Sequence, residues 1–424
     1  MASSNNTNSN FTRKIARVFL EKFEGSRVLT KTVDTQLLAG KFNPGSGANV
    51  DFKRPHDYKS DRTATGDISA VDESDIISGK ATGTVQDYFT VHMDWDEVDE
   101  ALEMDQLDEI LAPAATRIIT DLELDLSQFM LKNANLHYGT PGSATDAWSD
   151  VAGANALMES IGVPNDGERY YVMNPFTVAS LADTQSGLAS GDNSLVNTAW
   201  QNSLISNKFA GLRAMSSNAL KSYTSGSLTD RAGTLSSNPV VTYLAHKDTM
   251  IQSLAVSGFA AGTDTIKAGE IITITGRNRL SLATREAFVD GTGSQVIWSG
   301  VVTEDVTLAG GAGTLLVAGP AIYEANGQYN TVDSAPLSGD VVTVLGSAAT
   351  VYQPNMFYHK QAFGLGSVPL KKLYSTDTVA TTEDGMQIRV SKYSDGDANK
   401  QKIRFDLLPA YAVFNPFFAG QGFG

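Results

Sequence analysis

One stretch limits the architecture of this chain more than any other: a single apolar face running from Leu107 to Met130. Leu107, Ile110, Leu111, Ala114, Ala115, Ile118, Ile119, Leu122, Leu126, Phe129 and Met130 recur at three- and four-residue steps for six turns. The pattern predicts a helix from Asp105 to Leu136, about 48 Å long at 1.5 Å per residue. Pro113 interrupts it and marks a kink or a junction of two helices, because proline removes a backbone donor. A helix longer than most domains are wide acts as a beam for other elements.

Residues 41–83 have the opposite character. Glycines at 45, 47, 66, 79 and 83 punctuate a polar stretch with almost no large apolar side chains. It contains Lys53, Arg54, Lys59 and Arg62. Coreless loops of this length in folded chains are usually functional or disordered. The expectation is that 41–83 does not bury itself within its own chain. Thr84–Met93 alternates as one strand.

Before the loop, residues 1–10 form a polar tail expected to be mobile, and Ile15, Val18, Phe19 and Phe23 give a short amphipathic helix that Gly25 stops. Residues 140–226 mix loops with a strand at 169–173 and a helix near 175–182. From 227 to 351 helical periodicity disappears. Short apolar runs at 240–244, 270–275, 295–298, 314–317 and 341–345 alternate with glycine turns, which predicts a small inserted barrel or sandwich. Two further strands, 386–393 and 401–408, precede an aromatic tail.

Composition removes several classes of function. With no cysteine there is no disulfide framework, thiolate metal site or cysteine nucleophile. Lys+Arg 32 against Asp+Glu 47 leaves a net charge of −15, unlike the basic footprint of a general nucleic-acid binder. The N-terminus has no apolar signal region and no run approaches the roughly 18 residues of a membrane span, so a soluble protein made in the cytoplasm is expected.

Catalytic and metal-binding signatures are weak. Gly79-Lys80-Ala81-Thr82-Gly83 lacks the upstream glycine and the Ser/Thr of a phosphate loop, and reads as a turn into a strand. The five histidines stand far apart, without zincin spacing. Asp395-Gly396-Asp397-Ala398-Asn399 imitates a calcium loop, but Lys400 occupies the position that needs glycine and both flanks alternate as strands, so a hairpin is expected. No catalytic residue, cofactor or metal is assigned. The strongest electrostatic feature is an acidic run containing Asp94, Asp96, Glu97, Asp99, Glu100, Glu103 and Asp105, expected as a solvated helix face. Its other role would be to pair, between copies, with the basic loop 53–62.

Five spaced blocks stand out: Phe52-Lys53-Arg54-Pro55-His56, Thr65-Gly66-Asp67-Ile68-Ser69, Ile77–Gly83, Asp108–Pro113 and Phe405–Tyr411. Together they resemble the major capsid (coat) proteins of short-tailed phages of the P22 type. The resemblance covers essentially the whole chain and is weakest in 227–351. It implies an α+β, HK97-like phage capsid fold with an inserted small β-barrel domain. The implied layout is an N-terminal arm (1–40), an extended E-loop with its flanking strand (41–93), an acidic helix and spine helix of the peripheral domain (94–139), an axial domain (140–226), the inserted barrel (227–351) and a return to the axial and peripheral domains (352–424). The function implied is structural and not enzymatic: hexamers and pentamers of the chain itself in an icosahedral shell. It would assemble in the host cytoplasm with a scaffolding protein and a portal, then expand as DNA enters, enclosed without sequence-specific binding. A loop of the insertion would join capsomers, with Asp230, Arg231, Arg277, Arg279 and Arg285 as candidates. The alternative is a virion-borne or secreted carbohydrate-binding or carbohydrate-degrading β-rich protein, which leaves the long helix and the coreless loop unexplained.

Overall fold

A computed structural model describes residues 7–25, 27–38, 47–69, 71, 73–96, 107–186, 208–374, 377–395 and 400–424. By internal contacts the chain divides into two units, Met1–Asp51 with Thr82–Ser127 and Phe363–Ala412, and Phe52–Ala81 with Gln128–Ala362 and Val413–Gly424.

In the first unit the arm helix Thr7–Gly25 begins inside the stretch expected to be a mobile tail. It buries Ile15, Phe19 and Phe23, and the Phe19 ring stacks on Phe405 at 4.4 Å. Phe405 belongs to a four-stranded sheet in the order Thr378–Thr381, Gln387–Asp395, Lys400–Leu407, Phe89–Asp96. Asp395 pairs with Lys400, so strands flank 396–399, as a hairpin requires. The strand expected at 84–93 is two strands in different sheets. Lys80–Val85 pairs with Pro409–Val413, whereas Phe89–Asp96 pairs with Lys400–Leu407. The alternation holds on both sides of the break because each half has one face less exposed than the other, and periodicity does not record the change of partner. Asp94 and Asp96 therefore lie on a strand, not on a helix. Glu97, Asp99, Glu100, Glu103 and Asp105 lie outside the described residues.

The long helix spans Leu107–Asn133, 27 residues and about 40 Å, and runs through Pro113 without a junction. Ala115, Ile118, Ile119, Leu122, Leu126 and Met130 are buried as the periodicity requires. Two polar residues, Glu123 and Ser127, are buried as well. Glu123 Oε1 accepts hydrogen bonds from the backbone N–H of Val28 at 2.5 Å and of Thr30 at 3.5 Å, meeting the orphan donors of the short turn Leu29–Lys31. Burial raises the Glu123 pKa, against these hydrogen bonds.

In the second unit a six-stranded sheet has the order Leu136–Tyr138, Ala419–Gly422, Asn355–His359, Arg169–Met173, Leu212–Ser216, Lys208–Phe209. The helices Trp148–Ile161 and Pro175–Ser186 close one core with it, through Val151, Met158, Leu181, Tyr171 and Phe357. Strands between Ala232 and Val344 form a closed six-stranded barrel around Leu254, Ile272, Trp298, Leu315 and Val342. The strand expected at 240–244 is absent. Tyr243–His246 is a helical turn, and Val240 O is held by the side chains of His246 at 2.8 Å and Gln252 at 2.7 Å instead of by a ladder.

Candidate inter-subunit surface

The described part of the coreless loop is open at its tip and anchored at its base. Tyr58, Ile68 and Ile76 are 57%, 70% and 75% exposed, apolar side chains left in water by their own chain. Across the neck, the Lys59 amide donates to Ser74 Oγ at 3.1 Å. Below it the loop packs within the second unit, to which Phe52–Ala81 belong. Phe52 meets the Phe414 ring edge-on at 5.3 Å, and Ile77 packs beside Tyr243 and Tyr329. Gly79 allows this approach, because a Cβ there would lie 2.7 Å from Lys247 O. The expectation that all of 41–83 lacks support from its own chain is therefore corrected at the base, and residues 41–46 lie outside the described residues.

Arg54 accounts for most of that anchoring. It is 7% exposed, and its guanidinium donates to the carbonyls of Lys80 and Lys247 at 3.0 Å each, of Val413 at 3.4 Å, and of Phe414. Burial pulls its pKa down to about 10, so it remains a cation at neutral pH. Arg54, named among the contact candidates, thus has its donors engaged inside its own chain. Lys53 and Arg62 are exposed, and half-buried Lys59 lies 3.4 Å from Asp61.

The barrel candidates separate in the same way. Asp230 is exposed. Arg231 pairs at 2.6 Å with buried Glu270, and Arg277 makes two 2.8 Å bonds to Asp340. Arg279 is buried against Asn135 and Ser299, and Arg285 pairs with Asp57 of the loop. Four of these five are thus cations engaged within their own chain, and of the four Arg279 alone is fully buried. The charge of a residue in the sequence does not reveal a carbonyl or carboxylate contributed from a distant segment. Asp94 pairs with Lys400 at 2.8 Å across the sheet. Among the described residues no group of three or more His, Asp or Glu side chains is placed to hold a metal ion.

The arrangement is an exposed tip carrying Tyr58, Arg62 and Ile68, with exposed Ile76 just beyond its neck, on a base held by buried Arg54. Comparison with known proteins gives three results. A family model described as P22 coat protein, gene protein 5, matches residues 1–424. The major capsid protein of Acyrthosiphon pisum secondary endosymbiont phage 1 is 43% identical over 423 residues, covering 99% of each chain. Among solved structures, one from Mycobacterium phage Che8 is 13% identical with a TM-score of 0.44, covering 93% of this chain and 94% of that one. The capsid of Ralstonia phage GP4 is 8% identical with a TM-score of 0.44, over 94% of this chain and 91% of that one.

Proposed function

The chain belongs to the P22 coat protein family and is a structural, capsid-forming component of a phage virion, and we propose that its copies interlock through the exposed loop tip 58–74 laid over an adjacent copy. The observation that carries this reading is the contrast within one loop. Ile68 and Ile76 are exposed on a segment whose base is held by a buried arginine, so the apolar tip is held out at low entropic cost for a partner to cover.

In this reading the fold is HK97-like. Residues 1–40 are the arm, 41–93 the E-loop, 94–139 the acidic segment and spine, 140–226 the axial domain, 227–351 the insertion and 352–424 the return. Family membership and the order of arm, exposed loop, long helix and inserted barrel support it. Lys53, Lys59 and Arg62 of one copy meet the acidic stretch Asp96–Glu103 of the next, and exposed Asp230 belongs to a contact between capsomers. Exposed ion pairs contribute about 0–1 kcal/mol each, enough to fix register when repeated around a closed lattice. Hexamers and pentamers form a procapsid in the host cytoplasm with a scaffolding protein and a portal, and the shell expands as DNA enters. The net charge of −15 suits a lining that must not hold DNA tightly.

A map of assembled particles tests the reading. Density for 58–74 lying on a neighbouring copy is the expected result; the same segment folded onto its own chain, with copies joined elsewhere, overturns it.

A further inference from the structure

The two legs of the exposed loop are tied to the inserted region of the same chain by contacts of unequal durability. On the rising leg, Asp57 forms an ion pair with Arg285 and its amide donates to Tyr329 Oη at 3.3 Å. On the returning leg, Asp75 O accepts from Gln328 Nε2 at 2.6 Å, and the Lys80 amide donates to Asp248 Oδ1 at 3.2 Å. Every one of these partners lies within 227–351. We propose that the insertion is a clasp for the loop, with Arg54 as its permanent anchor and the Asp57–Arg285 pair as its releasable latch.

The difference between anchor and latch is physical. Arg54 is buried and shares its donors among carbonyls contributed by three separate segments, so salt does not reach it. Arg285 and Asp57 are 24% and 41% exposed, so their attraction is screened by ions and is individually weak. Arg285 also holds φ at +57°, a left-handed conformation that costs a residue with a Cβ. That conformation is fixed from both sides, by its amide on Ser281 O at 2.9 Å and its guanidinium on Asn330 O at 2.8 Å. Strained backbone of this kind concentrates at clamps and switches, where surrounding contacts over-determine it. The insertion therefore presents a pre-set cation at the place where the loop leaves the body of its unit. Opening the latch frees the rising leg above Arg54 while the base stays docked, and any contact that shifts the insertion biases the loop.

The clasp rests on the proposed role of the loop only for its consequence in assembly, so it is tested on the unassembled full-length chain, with particle formation scored separately. Amide hydrogen exchange of residues 58–60 and 73–79 is followed in the wild type, Asp57→Asn, Arg285→Ala and the double variant. Each single variant is expected to speed loop exchange about two- to fivefold, the double variant no further, while barrel strand 271–278 keeps its protection. Raising salt from low to about 0.5 M should produce the same increase in the wild type and none in the variants. The swapped pair Asp57→Arg with Arg285→Asp should restore slow exchange. Asp57 lies outside the barrel, so unchanged loop exchange in Asp57→Asn overturns the clasp even if Arg285→Ala disturbs the barrel itself.

Discussion

Asn135 Oδ1 accepts a 2.6 Å hydrogen bond from Arg279, and both residues are buried. Arg279 also donates to Ser299 O at 2.8 Å and Oγ at 3.0 Å, while Asn135 Nδ2 donates to Ser299 O at 2.8 Å and Ala318 O at 3.2 Å. Burial pulls Arg279 down to about 9, which leaves a cation at neutral pH held by neutral oxygens alone. Asn135→Ala should cost about 3–5 kcal/mol, because it takes one acceptor from a buried cation and the Nδ2 donor from Ser299 O and Ala318 O. Arg279→Met removes the charge together with its bonds and should cost less, about 1–3 kcal/mol. Urea unfolding of the monomer checks the order, and equal losses would show that the pair acts only by filling space.

Arg54 and the outer loop cations should separate monomer folding from assembly. Arg54→Glu sets a buried carboxylate against carbonyl oxygens and is expected to destabilise the monomer by more than about 3 kcal/mol. Lys59→Glu and Arg62→Glu should change monomer stability by less than about 0.5 kcal/mol yet impair particle formation. Thermal melting and sedimentation of each variant decide. Full particle yield from Lys59→Glu with Arg62→Glu would remove these two residues from the interface.

His137 makes stability fall on acidification. Burial, with Arg279 nearby, pulls its pKa down to about 4. The unfolded chain, with an ordinary imidazole near 6.5, then binds a proton that the folded chain refuses between those values. Stability from this site is complete above about pH 6.5 and is lost progressively down to about pH 4, on the order of 2–3 kcal/mol. His137→Gln should flatten that part of a pH–stability profile; an unchanged slope would assign it to other groups.

Glu123 has the opposite sign. Its carboxyl pKa is raised by burial, so the folded chain keeps a proton that the unfolded chain releases, and its contribution declines as pH rises through the carboxyl range. Glu123→Gln keeps an oxygen for Val28 and Thr30 and loses the charge, so it should be tolerated at neutral pH and lack that decline. Glu123→Ala leaves buried donors unpaired and should cost about 1–3 kcal/mol. Matched denaturation curves at acid and neutral pH separate the two variants.

Residues 227–351 should fold alone, because the core of the closed barrel is built from residues within that span. Trp298 is the one tryptophan in that span and is fully buried. The isolated fragment should show blue-shifted fluorescence and a single cooperative melt. Solvent-exposed emission from the fragment would mean that the barrel needs the rest of its unit.

How far the sequence could be read depended on how local each signal was. The long helix and the strand at Arg169–Met173 were legible, because burying one face imposes a period on neighbouring residues. The break between Val85 and Phe89 was not, since both halves alternate alike while pairing in different sheets. Val240–Leu244 looked like a strand by composition, and its carbonyl is instead held by His246 and Gln252.

The amino-acid order alone determined a beam-like helix, a β-rich stretch between 227 and 351, and a loop too polar to form a core, and through its spaced blocks it pointed to the family. Only the tertiary structure decided which cations are engaged within their own chain. Arg54, Arg279 and Arg285 have the same charge along the chain as Arg62, but their hydrogen-bond partners come from segments 20 to 360 residues away. Whether a guanidinium is buried and satisfied depends on those distant oxygens arriving, and no local pattern of residues encodes that arrival.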